Sequence, residues 1–324
     1  MSMNDTAYLQ ARTLFQAGHY PAAALICQQY PADFNHLYLL GLIHAETCQY
    51  DQALACLEAA RVLDSNHLGL KADRERILNA VNRQKLMLAL GLHQHNRAVA
   101  AASVYDEILQ TDPQHFDALQ LRGALALQRG DYRQALNDLN RAVAIRTDYA
   151  DAHSNRGIAL QELGRFEEAL ASYDRALSLT AANPRIHNNR GNTLKELNRL
   201  DEALVSYGHA LALDPNYADA WSNQGSTLNA LQRSDEALLC YDRALSLDQT
   251  LAEAWFNRGN IFRERNQLEE ALESYDRALA LKPTFARVYN NRGIVLQDLG
   301  YLGEALASYE RALELDMAAS EKSA

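Results

Sequence analysis

The sequence predicts an all-α protein, a solenoid of about nine helical hairpins, and three observations carry that prediction. Gly123, Gly157, Gly191, Gly225, Gly259 and Gly293 follow one another at intervals of 34 residues, the signature of a repeat architecture. Each glycine has the same companions: an alanine twelve residues on (Ala135 to Ala305), a large residue sixteen on, and a second alanine nineteen on (Ala142 to Ala312). The large residue is Leu139, then Tyr173, Tyr207, Tyr241, Tyr275 and Tyr309. Finally, 324 residues contain only 15 Gly and 6 Pro and are rich in Ala and Leu, the strongest helix formers. Two antiparallel helices approach closely only where the residues at their crossing are small. Glycine on the first helix and alanines on the second therefore mark the crossing, and the ring fills the wider space beside it.

The elements follow in order. Residues 4 to 33 keep Gly18, Tyr20 and Ala23, with Pro31 expected to cut the second helix short. Residues 34 to 67 form a full unit through Gly41, Tyr50, Ala53, Leu57 and Ala60. The register then breaks over 68–81, where Ile77, Leu78, Val81 and Leu88 are spaced to bury one stripe. That segment is either a lengthened first helix, the favoured reading, or an extra helix, and it is the expected joint between the divergent units 1–67 and a superhelix over 82–319. Residues 82 to 115 keep Ala101, Tyr105 and Pro113, with Ala89 at the glycine position; regular units run from 116, and 320–324 are a tail. Between the two helices of each regular unit stands a residue that tolerates the left-handed conformation ending a helix: Gly130, Gly164, Asn198, Asn266 and Gly300, with Gln232 the exception. The pairs Glu167-Glu168, Asp201-Glu202, Asp235-Glu236 and Glu269-Glu270 open the second helix, where its dipole favours negative charge. Pro113, Pro215 and Pro283 stop it.

These residues resemble the tetratricopeptide repeat (TPR) family. Its pattern of Trp, Gly, Ala, Phe or Tyr, Ala and Pro is met by Trp221, Gly225, Ala237, Tyr241 and Ala244, and by Trp255, Gly259, Ala271, Tyr275, Ala278 and Pro283. Gln249 and Met317 stand where the family often has Pro, and Arg156, Arg190, Arg258 and Arg292 where it prefers Leu. Those departures are expected to alter surfaces and leave the fold intact. The resemblance implies a right-handed superhelix whose first helices line a concave groove, with a peptide or partner protein held there.

Within that groove, Asn155, Asn189, Asn223, Asn257 and Asn291 stand two residues before the repeating glycine. An amide offers a donor and an acceptor, so one per hairpin can grip an extended peptide backbone without reading its side chains. The series resembles the asparagine ladder in the TPR superhelix of O-linked N-acetylglucosamine transferases; local bonding is the alternative use of such an asparagine. Three and six residues on lie Asn192, Ser226 and Asn260, then Lys195, Asn229 and Arg263, expected on the same face. Asp151, Asp219, Glu162, Glu196 and Glu264 stand near them, giving a groove of mixed sign. Leu9, Leu39, Met87 and Leu121 occupy the ladder position in the first four units, so the polar groove should end near the fifth.

Other function classes fall away. A formal net charge of -10 opposes a phosphate backbone, so no nucleic-acid partner is expected. No window approaches the 18 apolar residues of a membrane span, and the start, MSMNDTAYLQARTLF, lacks a signal peptide's organisation, so the cytosol is the expected location. Cys27, Cys48, Cys56 and Cys240 form no CxxC pair and read as reduced core residues. There is no phosphate loop, HExxH or GxSxG, and His93 and His95, two apart on a helix, make a poor metal pair. The expectation is a non-catalytic scaffold without cofactor. The alternatives are the substrate-recruiting TPR region of a longer protein glycosyltransferase and a self-assembling structural protein. The last unit ends at Asp316 and only MAASEKSA follows, so Leu306, Tyr309 and Leu313 are expected to face solvent in part. End-to-end self-association through that unit is the corresponding expectation.

Overall fold

A computed structural model describes residues 3–321; of the expected tail, 322–324 lie outside the described residues. The described residues form eighteen α-helices and no strand, and the chain divides between Leu125 and Ala126 into two compact units. The first unit holds α1 (Met3–Gln16), α2 (Tyr20–Cys27), α3 (Phe34–Glu46), α4 (Tyr50–Leu63), α5 (Leu68–Gln94), α6 (Ala98–Thr111) and most of α7 (Phe116–Gln128). The second completes α7 and continues with α8 (Tyr132–Ile145), α9 (Ala150–Glu162), α10 (Phe166–Leu179), α11 (Pro184–Glu196) and α12 (Leu200–Leu213). It ends with α13 (Ala218–Ala230), α14 (Ser234–Leu247), α15 (Ala252–Glu264), α16 (Leu268–Leu281), α17 (Ala286–Asp298) and α18 (Leu302–Glu321).

In the first unit α1 pairs with α2, α3 with α4 and α5 with α6, each hairpin packing on the next. The register break at 68–81 falls inside α5, a single helix of 27 residues that buries Leu70, Ile77 and Val81. Leu88 departs from the expected stripe and is 57% exposed. Ala89 is fully buried at the crossing, and its chain neighbour must therefore point to another side of the helix. Of the cysteines read as core, Cys27 and Cys240 are buried and Cys56 half-buried. Cys48 is instead exposed, because it occupies the turn between α3 and α4 with φ +59°.

In the second unit the hairpins α9–α10, α11–α12, α13–α14, α15–α16 and α17–α18 stack in chain order, and the closeness of each hairpin rests on its glycine. A Cβ at Gly157 would lie 2.6 Å from Tyr173 Cε1, one at Gly191 2.5 Å from Tyr207 Cε1, and one at Gly259 2.7 Å from Tyr275 Cε1. These rings are fully buried, so glycine here supplies space for a ring face. Interior leucines are then covered by the following hairpin. Leu245 and Leu279 are 5% and 8% exposed, whereas their counterpart Leu313 in α18 is 62% exposed and Leu306 59%.

The turns keep one geometry whatever residue occupies them. Gly164 N–H donates to Gln161 O and Arg165 N–H to Leu160 O; Gln232 N–H donates to Asn229 O and Arg233 N–H to Leu228 O in the same way. Gln232 therefore takes φ +61°, a left-handed conformation that costs a side-chain-bearing residue about 1 kcal/mol.

The arginines expected only to alter surfaces in fact join hairpins. Arg190 on α11 donates to Asp174 on α10 (2.6 Å) and to Ser206 on α12 (2.6 Å), tying two hairpins together. Arg258 repeats this with Asp242 (2.7 Å) and Ser274 (3.0 Å), and Arg292 with Asp276 (2.6 Å) and Ser308 (2.8 Å). The joint between α12 and α13 lacks all three parts. Gly208 stands at the aspartate position, Gln224 at the arginine and Cys240 at the serine, leaving a weak Cys240 Sγ to Gln224 Oε1 contact of 3.6 Å.

Candidate peptide-binding groove

In the second unit the first helices touch in two groups, α9 with α11 and α11 with α13, then α15 with α17. Asn155, Asn189, Asn223, Asn257 and Asn291 stand one on each first helix from α9 to α17, all half-buried. Three of them already bond internally, Asn257 with the Tyr241 hydroxyl. Asn223 Nδ2 donates to the buried Asn188 Oδ1 (3.0 Å), and Asn291 Nδ2 donates to Asn260 Oδ1 (2.8 Å). Asn291 also meets the Tyr275 hydroxyl, so its N–H groups are turned inward.

The floor beneath the series is made by the core tyrosines. Tyr207 O–H donates to Asn192 Oδ1 (2.7 Å) and Tyr275 O–H to Asn260 Oδ1 (2.8 Å). Burial pushes both phenols up, Tyr275 to about 12, so the hydroxyls stay protonated donors. Sequence reasoning named Asn192 and Asn260 but missed Gln161 and Gln297, which accept from Tyr173 (3.4 Å) and Tyr309 (3.2 Å). The signal that could have found them is the spacing from amide to tyrosine, 12 residues for the glutamines and 15 for the asparagines. Gln161 also accepts from Thr193 Oγ1 (2.8 Å), linking α9 to α11.

Lys195, Asn229 and Arg263 are half-buried at matching positions on α11, α13 and α15, beside the exposed Glu162, Glu196 and Glu264. Asp151 and Asp219 are also exposed, at the other end of their helices. In the first unit the ladder positions are apolar as expected, with Leu39 buried and Leu9 and Met87 exposed.

One consequence reaches the core. Tyr105 in α6 is fully buried and its hydroxyl has no partner among the described residues, because no amide faces it. Tyr105→Phe should leave stability unchanged or slightly raised, while Tyr275→Phe should lower it by about 1 kcal/mol through the lost bond to Asn260. Urea unfolding of the two variants measures the difference.

Residues 123–164, 162–198, 191–231, 225–262 and 259–300 match a family model described as TPR repeat, and 286–319 match one described as tetratricopeptide repeat. The chain belongs to the tetratricopeptide repeat family. No curated protein matches it in sequence. Among solved structures it is similar to PilF of Pseudomonas aeruginosa, at 23% identity and a TM-score of 0.56 over 64% of this chain and 97% of that one. It is also similar to a chain of the APC/C hetero-tetramer Cut9–Hcn1, at 13% identity and a TM-score of 0.57 over 95% of this chain and 80% of that one. Both likenesses concern the fold.

The TPR pattern also explains two histidines. Trp221 Nε1–H donates to Pro215 O and Trp255 Nε1–H to Gln249 O, each at 3.0 Å to the carbonyl six residues back. His153 Nε2 meets Thr147 O (3.1 Å) and His187 Nε2 meets Ala181 O (3.0 Å) in the same place. Burial holds both imidazoles below the usual histidine range, so the neutral ring serves the TPR tryptophan's role. Among the described residues no three His, Cys, Asp or Glu converge on a metal-binding geometry, and no helix is long and apolar enough to cross a membrane.

Proposed function

We propose that this TPR protein is a non-catalytic scaffold whose second unit holds an extended peptide, or an extended segment of a partner protein, along the first-helix face. The observation that carries this reading is the amide series. Asn155, Asn189, Asn223, Asn257 and Asn291 recur at the hairpin spacing, half-buried, one on each first helix from α9 to α17. Backbone recognition needs a donor and an acceptor at a regular rise, and an amide side chain carries both. A stack of hairpins curves by a small rotation per unit, which gives such a face its concavity.

The test is the triple variant Asn189→Ala, Asn223→Ala, Asn257→Ala, titrated against fluorescent 12-residue peptides selected on the unmodified protein. Loss of three bidentate backbone contacts should weaken binding by tenfold or more, about 1.4 kcal/mol in all. Far-UV circular dichroism should be nearly unchanged. Equal affinity of the variant and the parent would show the series to be local bonding alone.

A further inference from the structure

Two sets of cations in the second unit recur with the repeat and carry carboxylate partners. Those on the hairpin joints are neutralised by aspartates 16 residues away, and those that open second helices, Arg165, Arg199 and Arg233, pair with a glutamate three residues on at 2.7 Å. Lys195 and Arg263 belong to neither set and, unlike the exposed Arg185, Arg243, Arg277 and Arg287, are half-buried. Among the described residues neither has a carboxylate within ion-pair distance, although both are half-buried on the first-helix face and the chain as a whole carries an excess of acid. Arg263 lies against the neutral hydroxyl of Tyr275, and its Nε–H is buried without an acceptor. A half-buried cation without a carboxylate partner is complementary to an incoming anionic acceptor, and a carboxylate satisfies its charge.

Their spacing defines what could reach both. Lys195 and Arg263 occupy the same repeat position two hairpins apart, on α11 and α15, with the neutral Asn229 between them. Packed helices lie about 9 Å apart, so the two cations are roughly 18–20 Å apart along the face. An extended chain advances about 3.3 Å per residue, which places the second contact about six residues after the first. Successive side chains of an extended strand point to opposite sides, so an even separation keeps both on the groove side. From this, and resting on the groove reading above, we infer that the preferred ligand is an extended acidic peptide carrying Asp or Glu at positions i and i+6, paired with Lys195 and Arg263. The exposed Glu162, Glu196 and Glu264 beside the cations would disfavour additional acidic residues.

The experiment uses the full chain and three synthetic 12-residue peptides in one Ser/Ala background, blocked at both ends. They carry Glu at i and i+6, Glu at i and i+5, or Gln at i and i+6. Fluorescence anisotropy at low ionic strength should show the first binding about tenfold tighter than the third, with the second close to the third and the advantage shrinking at 0.5 M salt. The double variant Lys195→Gln, Arg263→Gln should bind the first and third peptides equally. Equal binding of Glu and Gln peptides by the unmodified protein overturns the inference. If both then lose affinity in the triple asparagine variant, the groove reading stands without it; if no peptide binds at all, the groove reading itself falls.

Discussion

Gly191→Ala should destabilise the second unit by about 1–2 kcal/mol, whereas the same substitution at Gly208, one helix away, should stabilise it by up to about 1 kcal/mol. Both glycines lie inside helices, where alanine is intrinsically favoured by about 1 kcal/mol. The sign is decided by surroundings. A Cβ at Gly191 would stand 2.5 Å from Tyr207 Cε1 and within 2.9 Å of two further ring carbons, and that ring is fully buried with its hydroxyl fixed to Asn192. The ring cannot withdraw, and overpacking of this kind costs about 1–3 kcal/mol. At Gly208 a Cβ meets nothing within 4 Å, so only the propensity gain remains. Thermal unfolding followed by circular dichroism should move the two midpoints in opposite directions. Movement in the same direction would show that the glycine-to-tyrosine contact does not limit hairpin packing.

The second large effect lies at the joint between α12 and α13. The combined substitutions Gly208→Asp, Gln224→Arg and Cys240→Ser should stabilise the second unit by about 1 kcal/mol, and each change alone by less. In the three complete joints the arginine is part-exposed and the aspartate half-exposed, which keeps the ion pair's own share small. The new serine hydroxyl and the improved helix propensity at position 208 add to it. Gln224→Arg without Gly208→Asp would leave the new guanidinium with no carboxylate at the position where Asp174, Asp242 and Asp276 serve the other joints. Hydrogen exchange is the sharper measurement, because protection should rise in α12 to α14 and stay level elsewhere. A rise in the triple variant equal to the sum of the single variants would mean that the three side chains do not act as a unit.

These two cases show what the sequence disclosed. The glycine and tyrosine of one hairpin are 16 residues apart and recur, so a contact that requires one small and one large residue was visible as a pattern. The turns were visible for the same reason except at Gln232, which departed from the pattern of residue types and yet adopts the same left-handed conformation. The arginine joint was missed because its partners lie on two different hairpins, 16 residues before and 16 after, and an arginine where the family prefers leucine reads as a surface change. Leu88 was misplaced because the apolar stripe of α5 follows Ala89, and a helix rotates its face by about 100° with each residue. For the candidate groove, positions were legible and bonding was not. That Asn223 turns one N–H to Asn188, or that Tyr207 reaches Asn192, depends on how neighbouring helices meet.

The absent clamp at Gly208, Gln224 and Cys240 has a mechanical meaning. Hairpins stacked in a line behave as springs in series, each joint bearing the same load, so deformation gathers where stiffness is lowest. Here the missing clamp falls between Asn189 and Asn223, leaving the Asn223 to Asn188 bond to join the two first helices. Bending or twisting there would change the distance between those two amides without opposition from an arginine clamp. The pitch offered to a ligand's backbone is then adjustable at one point along its length and set everywhere else.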